Sequence, residues 1–109
     1  MNVMEATDAN FQQLLAEHDK VVVKYYADWC GHCRLFAPRY EHLAEQYPGL
    51  TFVKVNAETN PLARRLGQVH DLPFFAAFRE GQLVDFLSTM QEQDVAGLLD
   101  SLQATLWPQ

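Results

Sequence analysis

Two cysteines, Cys30 and Cys33, are the only thiols in a chain of 109 residues, with Gly31 and His32 between them. Several chemistries use a pair at this spacing, and they differ in what else they need. A structural staple gains little here: in the chain-entropy model a loop of four residues contributes about 2 kcal/mol, against about 4.7 for a 100-residue loop. Zinc would take Cys-x2-Cys as half of a tetrahedral site. The other half is missing, because there is no second cysteine pair and His18, His32, His42 and His70 do not pair at ligand spacing. Covalent haem attachment needs a histidine directly after the second cysteine, and Arg34 stands there.

Redox chemistry remains, and local physics favours it. Cys30 falls where a hydrophobic strand gives way to a helix, so its sulfur should meet the unpaired N–H groups and positive end of the helix dipole. A thiolate is stabilised in that setting, and the thiolate is the nucleophile. His32 can add positive charge nearby. Cys33, one turn into the helix, should be more buried. The pair then consists of an attacking and a resolving thiol, as exchange through a mixed disulfide requires.

The elements that must position this pair can be read from periodicity and breakers. Phe11, Leu14, Leu15 and His18 recur at helical spacing behind Thr7-Asp8, which are N-cap candidates for a helix over 8–18. Residues 21–27, VVVKYYA, form a β-branched and aromatic run apolar on both faces, expected to be a central strand with Lys24 as its oddity. A helical stripe of Phe36, Tyr40, Leu43, Ala44 and Tyr47 runs from Gly31 to Pro48-Gly49, with Pro38 inside it, where a kink is expected. Residues 50–55 are a second buried strand. Asn60-Pro61 marks the start of a short helix that Gly67 closes. Residues 73–78 and 83–87 read as a hairpin around Glu80-Gly81. Thr89-x-x-Glu92 reads as a capping box before a last helix with apolar face Val95, Leu98, Leu99 and Leu102. With a short strand near Val3, the expectation is an α/β domain over residues 1–109, a mixed sheet with helices on both faces.

At Trp29-Cys30-Gly31-His32-Cys33, followed by Pro38 in the helix, the sequence resembles the thioredoxin family over nearly its whole length, from about Val3 to Leu102. Lys54 in Val53-Lys54-Val55-Asn56 is similar to the lysine of the family's next strand, and Leu72-Pro73 stands where the family has its cis-proline loop. The resemblance implies a thioredoxin fold and protein dithiol–disulfide exchange with no metal or organic cofactor, the cysteine pair itself carrying the electrons. It implies that Cys30 attacks, Cys33 resolves, Gly31, His32 and Lys54 tune the thiolates, and Trp29, Leu72, Pro73 and Thr89 shape the substrate platform; Lys24 joins the tuning residues by its place before Cys30 and not by its type. The partners it implies are proteins bearing disulfides or thiols and a reductase or other redox protein.

The departures matter as much. Gly-His between the cysteines resembles protein disulfide isomerase, whereas small thioredoxins commonly carry Gly-Pro. Lys24 occupies the place of a buried family carboxylate. It has two readings: a desolvated lysine acting on the thiols, or one that snorkels to the sheet edge. Phe74 after the proline is expected in the core, Met90 near the groove, Arg34 on the solvated helix face and Trp107 packed on the last helix or frayed.

Composition narrows the alternatives. The net charge is −6, with 8 Lys and Arg against 14 Asp and Glu and no dense basic block, which argues against nucleic acid as a partner. The longest apolar stretch, residues 72–78, is far short of the roughly 20 residues that cross a bilayer. The first residues lack the basic and apolar regions of a signal peptide, so the expected setting is the cytoplasm and the expected state a monomer. Reduction of protein disulfides is the default direction there. Oxidase or isomerase work, and a chaperone-like binding module with low turnover, are the alternatives.

Overall fold

The computed structural model describes residues 2–104; Trp107 lies outside them. The chain runs β1 (Val3–Glu5), α1 (Phe11–Glu17), β2 (Lys20–Tyr26), α2 (Gly31–Gln46), β3 (Thr51–Asn56), α3 (Pro61–Leu66), β4 (Phe74–Arg79), β5 (Gln82–Ser88) and α4 (Glu92–Gln103). The strands form one sheet in the order β1-β3-β2-β4-β5. β2 pairs parallel with β3, and β3 parallel with β1, while β4 runs antiparallel to both β2 and β5. The α/β order and the mixed sheet follow the expectation from the sequence. β2 is the middle strand, which explains why its run is apolar on both faces.

Alternation along the strands divides the core in two. On one face Val22, Phe52, Phe75 and Ala77 meet Phe36, Tyr40 and Leu43 of α2 and Val95, Leu98 and Leu99 of α4. On the other, Val21, Val23, Tyr25, Val55 and Phe78 meet Phe11, Leu14 and Leu15 of α1 and Ala63 of α3. Phe74 is buried on this second side, as expected, with its ring stacked near Phe86 and edge-on to His70. The hairpin turn places Glu80 at φ 52° and Gly81 at φ 82°, the paired positive values of a two-residue turn that matches strand twist.

Two capping expectations need correction, at Thr7-Asp8 and at Thr89, while Asn60 holds its expected position with other side-chain partners. The first helix begins at Phe11, not at residue 8, because the carbonyl of Thr7 accepts N–H bonds from both Asn10 and Phe11 in a preceding turn. Asp8 caps a different helix: its carboxylate accepts the backbone N–H groups of Leu62 at 3.0 Å and Ala63 at 2.8 Å, at the start of α3. Asn60 stands at the N-cap of α3, yet its side chain does not cap it. Its Oδ1 accepts the N–H of Asp8 instead, and its Nδ2 donates to the carbonyl of Asn56. In the last helix the N-cap is Gln91 rather than Thr89; Thr89 Oγ1 accepts the Gln91 N–H and donates to Asp94. The C-terminal end of α4 carries no basic residue of its own. Arg79 and Lys20 donate to its last carbonyls from the sheet, where cations oppose the negative end of the dipole.

Candidate active site

Cys30 occupies the N-cap of α2, in extended backbone conformation, and its Sγ accepts the N–H of Cys33 at 3.2 Å. The helix starts there because Gly31 and the residues after it carry the stripe that packs on the sheet, while the strand before it has ended at Tyr26. A sulfur at a helix N-terminus faces unpaired N–H donors, the setting that stabilises a thiolate. The two cysteines are joined as a disulfide. Cys30 is 5% exposed and Cys33 1%.

The two sulfurs border separate openings. Outside, Trp29, Cys30, Gly31, His32 and Leu72 line a shallow cavity of about 210 Å³. Trp29 is 65% exposed, and its Nε1–H donates to Glu58. Leu72 packs against the small cluster of Ala27, Cys30 and Cys33, and the Leu72–Pro73 peptide is cis, with Pro73 buried. Ser88 Oγ donates to the carbonyl of Pro73 at 3.0 Å, tying the end of β5 to this loop. Thr89 follows it but does not line the cavity.

Inside, a second cavity of about 210 Å³ is lined by Cys33 together with Lys24, Tyr26, Lys54, Arg34 and Asp28. Here one reading of Lys24 is corrected: it does not snorkel to the sheet edge. It lies on the middle strand, is 4% exposed, and places Nζ 5.3 Å from the ring centroid of Tyr40. Burial, then the charge of Lys54, lowers its pKa from 10.5 to about 8, against smaller opposing effects of Glu41 and Glu5. Lys24 and Lys54 are register partners in the parallel ladder, and Glu5 is the partner of Lys54 on the far side. Glu5 is engaged by Lys54 at 3.8 Å and by the Tyr26 hydroxyl. Burial, with the nearby carboxylate of Glu5, pushes the Tyr26 hydroxyl up from its ordinary value. Arg34 is exposed, as expected, and donates to the Asp28 carbonyl.

The structure therefore gathers Trp29, Cys30, Gly31, His32 and Leu72 at one opening and Cys33, Lys24 and Lys54 at the other, and leaves Thr89 apart. Reading the sequence missed Tyr26, Asp28, Glu58 and Ser88. Tyr26 and Asp28 were within reach, Tyr26 two residues from Lys24 on the same strand face and Asp28 two residues before Cys30; Glu58 and Ser88 come from distant segments and leave no local signal. Among the described residues no cluster of three or more His, Cys, Asp or Glu side chains is placed to hold a metal, and no helix is long and apolar enough to cross a membrane. A helix-capping sulfur bonded to a shielded one can accept attack, open, and close again: the arrangement suits thiol–disulfide exchange.

The thioredoxin family model matches residues 2–103. Thioredoxin 1 of Nostoc sp. is 36% identical over 85 residues, covering 76% of this chain and 79% of that protein. Protein disulfide-isomerase A4 of Bos taurus is 29% identical over 109 residues, covering 96% of this chain, which spans only 17% of that relative's length. The X-ray structure of Fasciola hepatica thioredoxin superposes with a TM-score of 0.84 at 32% identity, covering 94% of this chain and 100% of that one.

Proposed function

The chain belongs to the thioredoxin family, and from that premise we propose that it is a protein thiol–disulfide oxidoreductase whose main direction is reduction. The observation that carries this reading is the Cys30 sulfur at the N-terminus of α2, bonded by the Cys33 N–H and bordering an outer cavity with Trp29 and Leu72. In the reduced protein the Cys30 thiolate attacks a substrate disulfide, forming a mixed disulfide and releasing one substrate thiol. Cys33 then attacks Cys30, the second substrate thiol leaves, and two electrons have passed to the substrate. The exposed Trp29 face and the Leu72-Pro73 loop receive the substrate chain. The cysteine pair carries the electrons, so the reaction needs no metal or organic cofactor, and a separate reductase returns the pair to the dithiol form. The working state is a monomer in a compartment that keeps thiols reduced, such as the cytoplasm.

Insulin reduction tests the reading. Wild type is expected to turn over, Cys30→Ser to be inactive, and Cys33→Ser to accumulate a mixed disulfide with substrate. A Cys30→Ser/Cys33→Ser protein that binds partners as well as wild type, beside a wild type that does not turn over, would replace the enzyme by a binding module.

Gly31-His32 favours a second reading within the class, oxidation or isomerisation, because cationic charge beside Cys30 stabilises the reduced form. The potential decides between them: about −270 mV marks a thioredoxin-type reductant and about −180 mV an isomerase.

A further inference from the structure

The middle of the sheet carries a positive charge that the surrounding fold does not pair. Lys24 is one of two buried polar or charged residues among those described; the other, Asn60, has its side chain fully engaged in hydrogen bonds. The Lys24 ammonium has neither a hydrogen bond nor an ion pair among the described residues, while its backbone is paired in the sheet. The groups around it explain why. On β3 its register partner is Lys54, a like charge; on β4 it is the apolar Phe75. Glu5 of β1 is held by Lys54 and the Tyr26 hydroxyl. From α2 come the ring of Tyr40 and the charges of Glu41 and Arg34, and Asp28 borders the cavity's rim. The remaining reactive group on this cavity is Cys33.

We propose that the Lys24 ammonium is the counter-ion that holds Cys33 as a thiolate in the reduced protein, which makes Lys24 a positioning residue for the step that resolves the mixed disulfide. Partial desolvation on this cavity is costly for a lone ammonium, and so it is for a lone thiolate. Placed on one cavity they neutralise each other, and low polarity strengthens their attraction. The proton leaving Cys33 passes to solvent as the ammonium–thiolate pair forms. Cys33 then attacks Cys30 Sγ. The Cys30–substrate S–S bond breaks, the Cys30–Cys33 bond forms, and the departing substrate thiolate takes a proton from solvent. Once Cys33 is in the disulfide its negative charge is gone. Lys24 is left beside Lys54 with no ion pair among the described residues, and burial and that like charge, against smaller effects of Glu41 and Glu5, bring its pKa down to about 8 in this oxidised state. Reduction and protonation of Lys24 are thereby linked.

The inference rests on the thiol–disulfide reading, but its test does not use turnover, so either can fail without the other. In Cys30→Ser protein, where Cys33 is the single thiol, thiolate formation is followed against pH by ultraviolet absorbance, which needs no access to the sulfur. Lys24→Met is expected to raise the Cys33 midpoint by about one unit, a roughly tenfold loss of thiolate below the midpoint. Lys24→Arg, which keeps the charge, is expected to restore it. Lys24→Gln repeats the comparison with a polar, neutral head should methionine disturb the fold, with circular dichroism as the check. Lys54→Gln is expected to shift the midpoint less, since Lys54 is more exposed and shared with Glu5. An unchanged midpoint in Lys24→Met and Lys24→Gln overturns the proposal. A midpoint raised equally in Lys24→Arg overturns it too, because charge alone would then not suffice.

Discussion

Cys30 and Cys33 are three residues apart and face different surroundings, and their chemistry divides accordingly. Cys30, 5% exposed, borders the exposed Trp29 and His32, while Cys33, 1% exposed, borders Lys24 and Lys54. The division follows from helix geometry: the N-cap residue sits at the helix end, and the residue one turn later lies over the sheet. At this scale the proposed influence of His32 on direction can be tested. Replacing it with alanine removes a group that can carry positive charge beside Cys30 and is expected to lower the reduction potential. A tenfold change in the dithiol–disulfide equilibrium corresponds to about 30 mV, and equilibration in glutathione buffers reads it directly. An unchanged potential would reduce His32 to an exposed turn residue.

Among the elements, α3 shows how a short helix is held by residues far away in sequence. It is six residues long, too short to be stable alone. Pro61 spares its first N–H, and the Asp8 carboxylate accepts the next two, so the donors of its first turn are supplied from the segment before α1. Tyr25 completes the anchorage from β2, its hydroxyl donating to the Ala63 carbonyl at 2.7 Å. Asp8→Ala is expected to cost about 1 kcal/mol, the usual loss for a helix cap. A lower denaturant midpoint at unchanged slope would show it. No change would mean that water replaces the carboxylate without penalty.

For the molecule as a whole, the buried lysine has a thermodynamic signature. In the oxidised protein Lys24 titrates at about 8, against 10.5 as its ordinary value. Between those values the unfolded chain binds more protons than the folded one, so this residue makes stability rise with pH. Below about 8 the folded protein bears the full cost of charging Lys24, and above 10.5 that cost is gone. Oxidised Lys24→Met is therefore expected to be more stable than wild type at neutral pH. The advantage should shrink as the pH rises through that window, as thermal or denaturant unfolding in a series of buffers would show. An advantage independent of pH would mean that packing, not charge, accounts for it.

What the sequence determined by itself is local in origin. The cysteine spacing, the strand-to-helix change at Cys30, the β-branched middle strand, the Glu80-Gly81 turn and the apolar stripes of α2 and α4 depend on neighbouring residues, and the family resemblance rests on those same stretches. The partners of the capping residues were out of reach for the converse reason. Thr7, Asp8, Asn60 and Thr89 are all capping types, but which N–H each one meets depends on segments brought together by folding, and Asp8 finds its partners 54 and 55 positions away. The state of Lys24 was equally out of reach. Its burial requires the sheet on one side and α2 on the other, and its pairing with Lys54 requires the β2–β3 register. Desolvation and electrostatic neighbours are sums over everything packed nearby, so tertiary structure alone decided which cations stand beside Cys33 and which carboxylates were already taken.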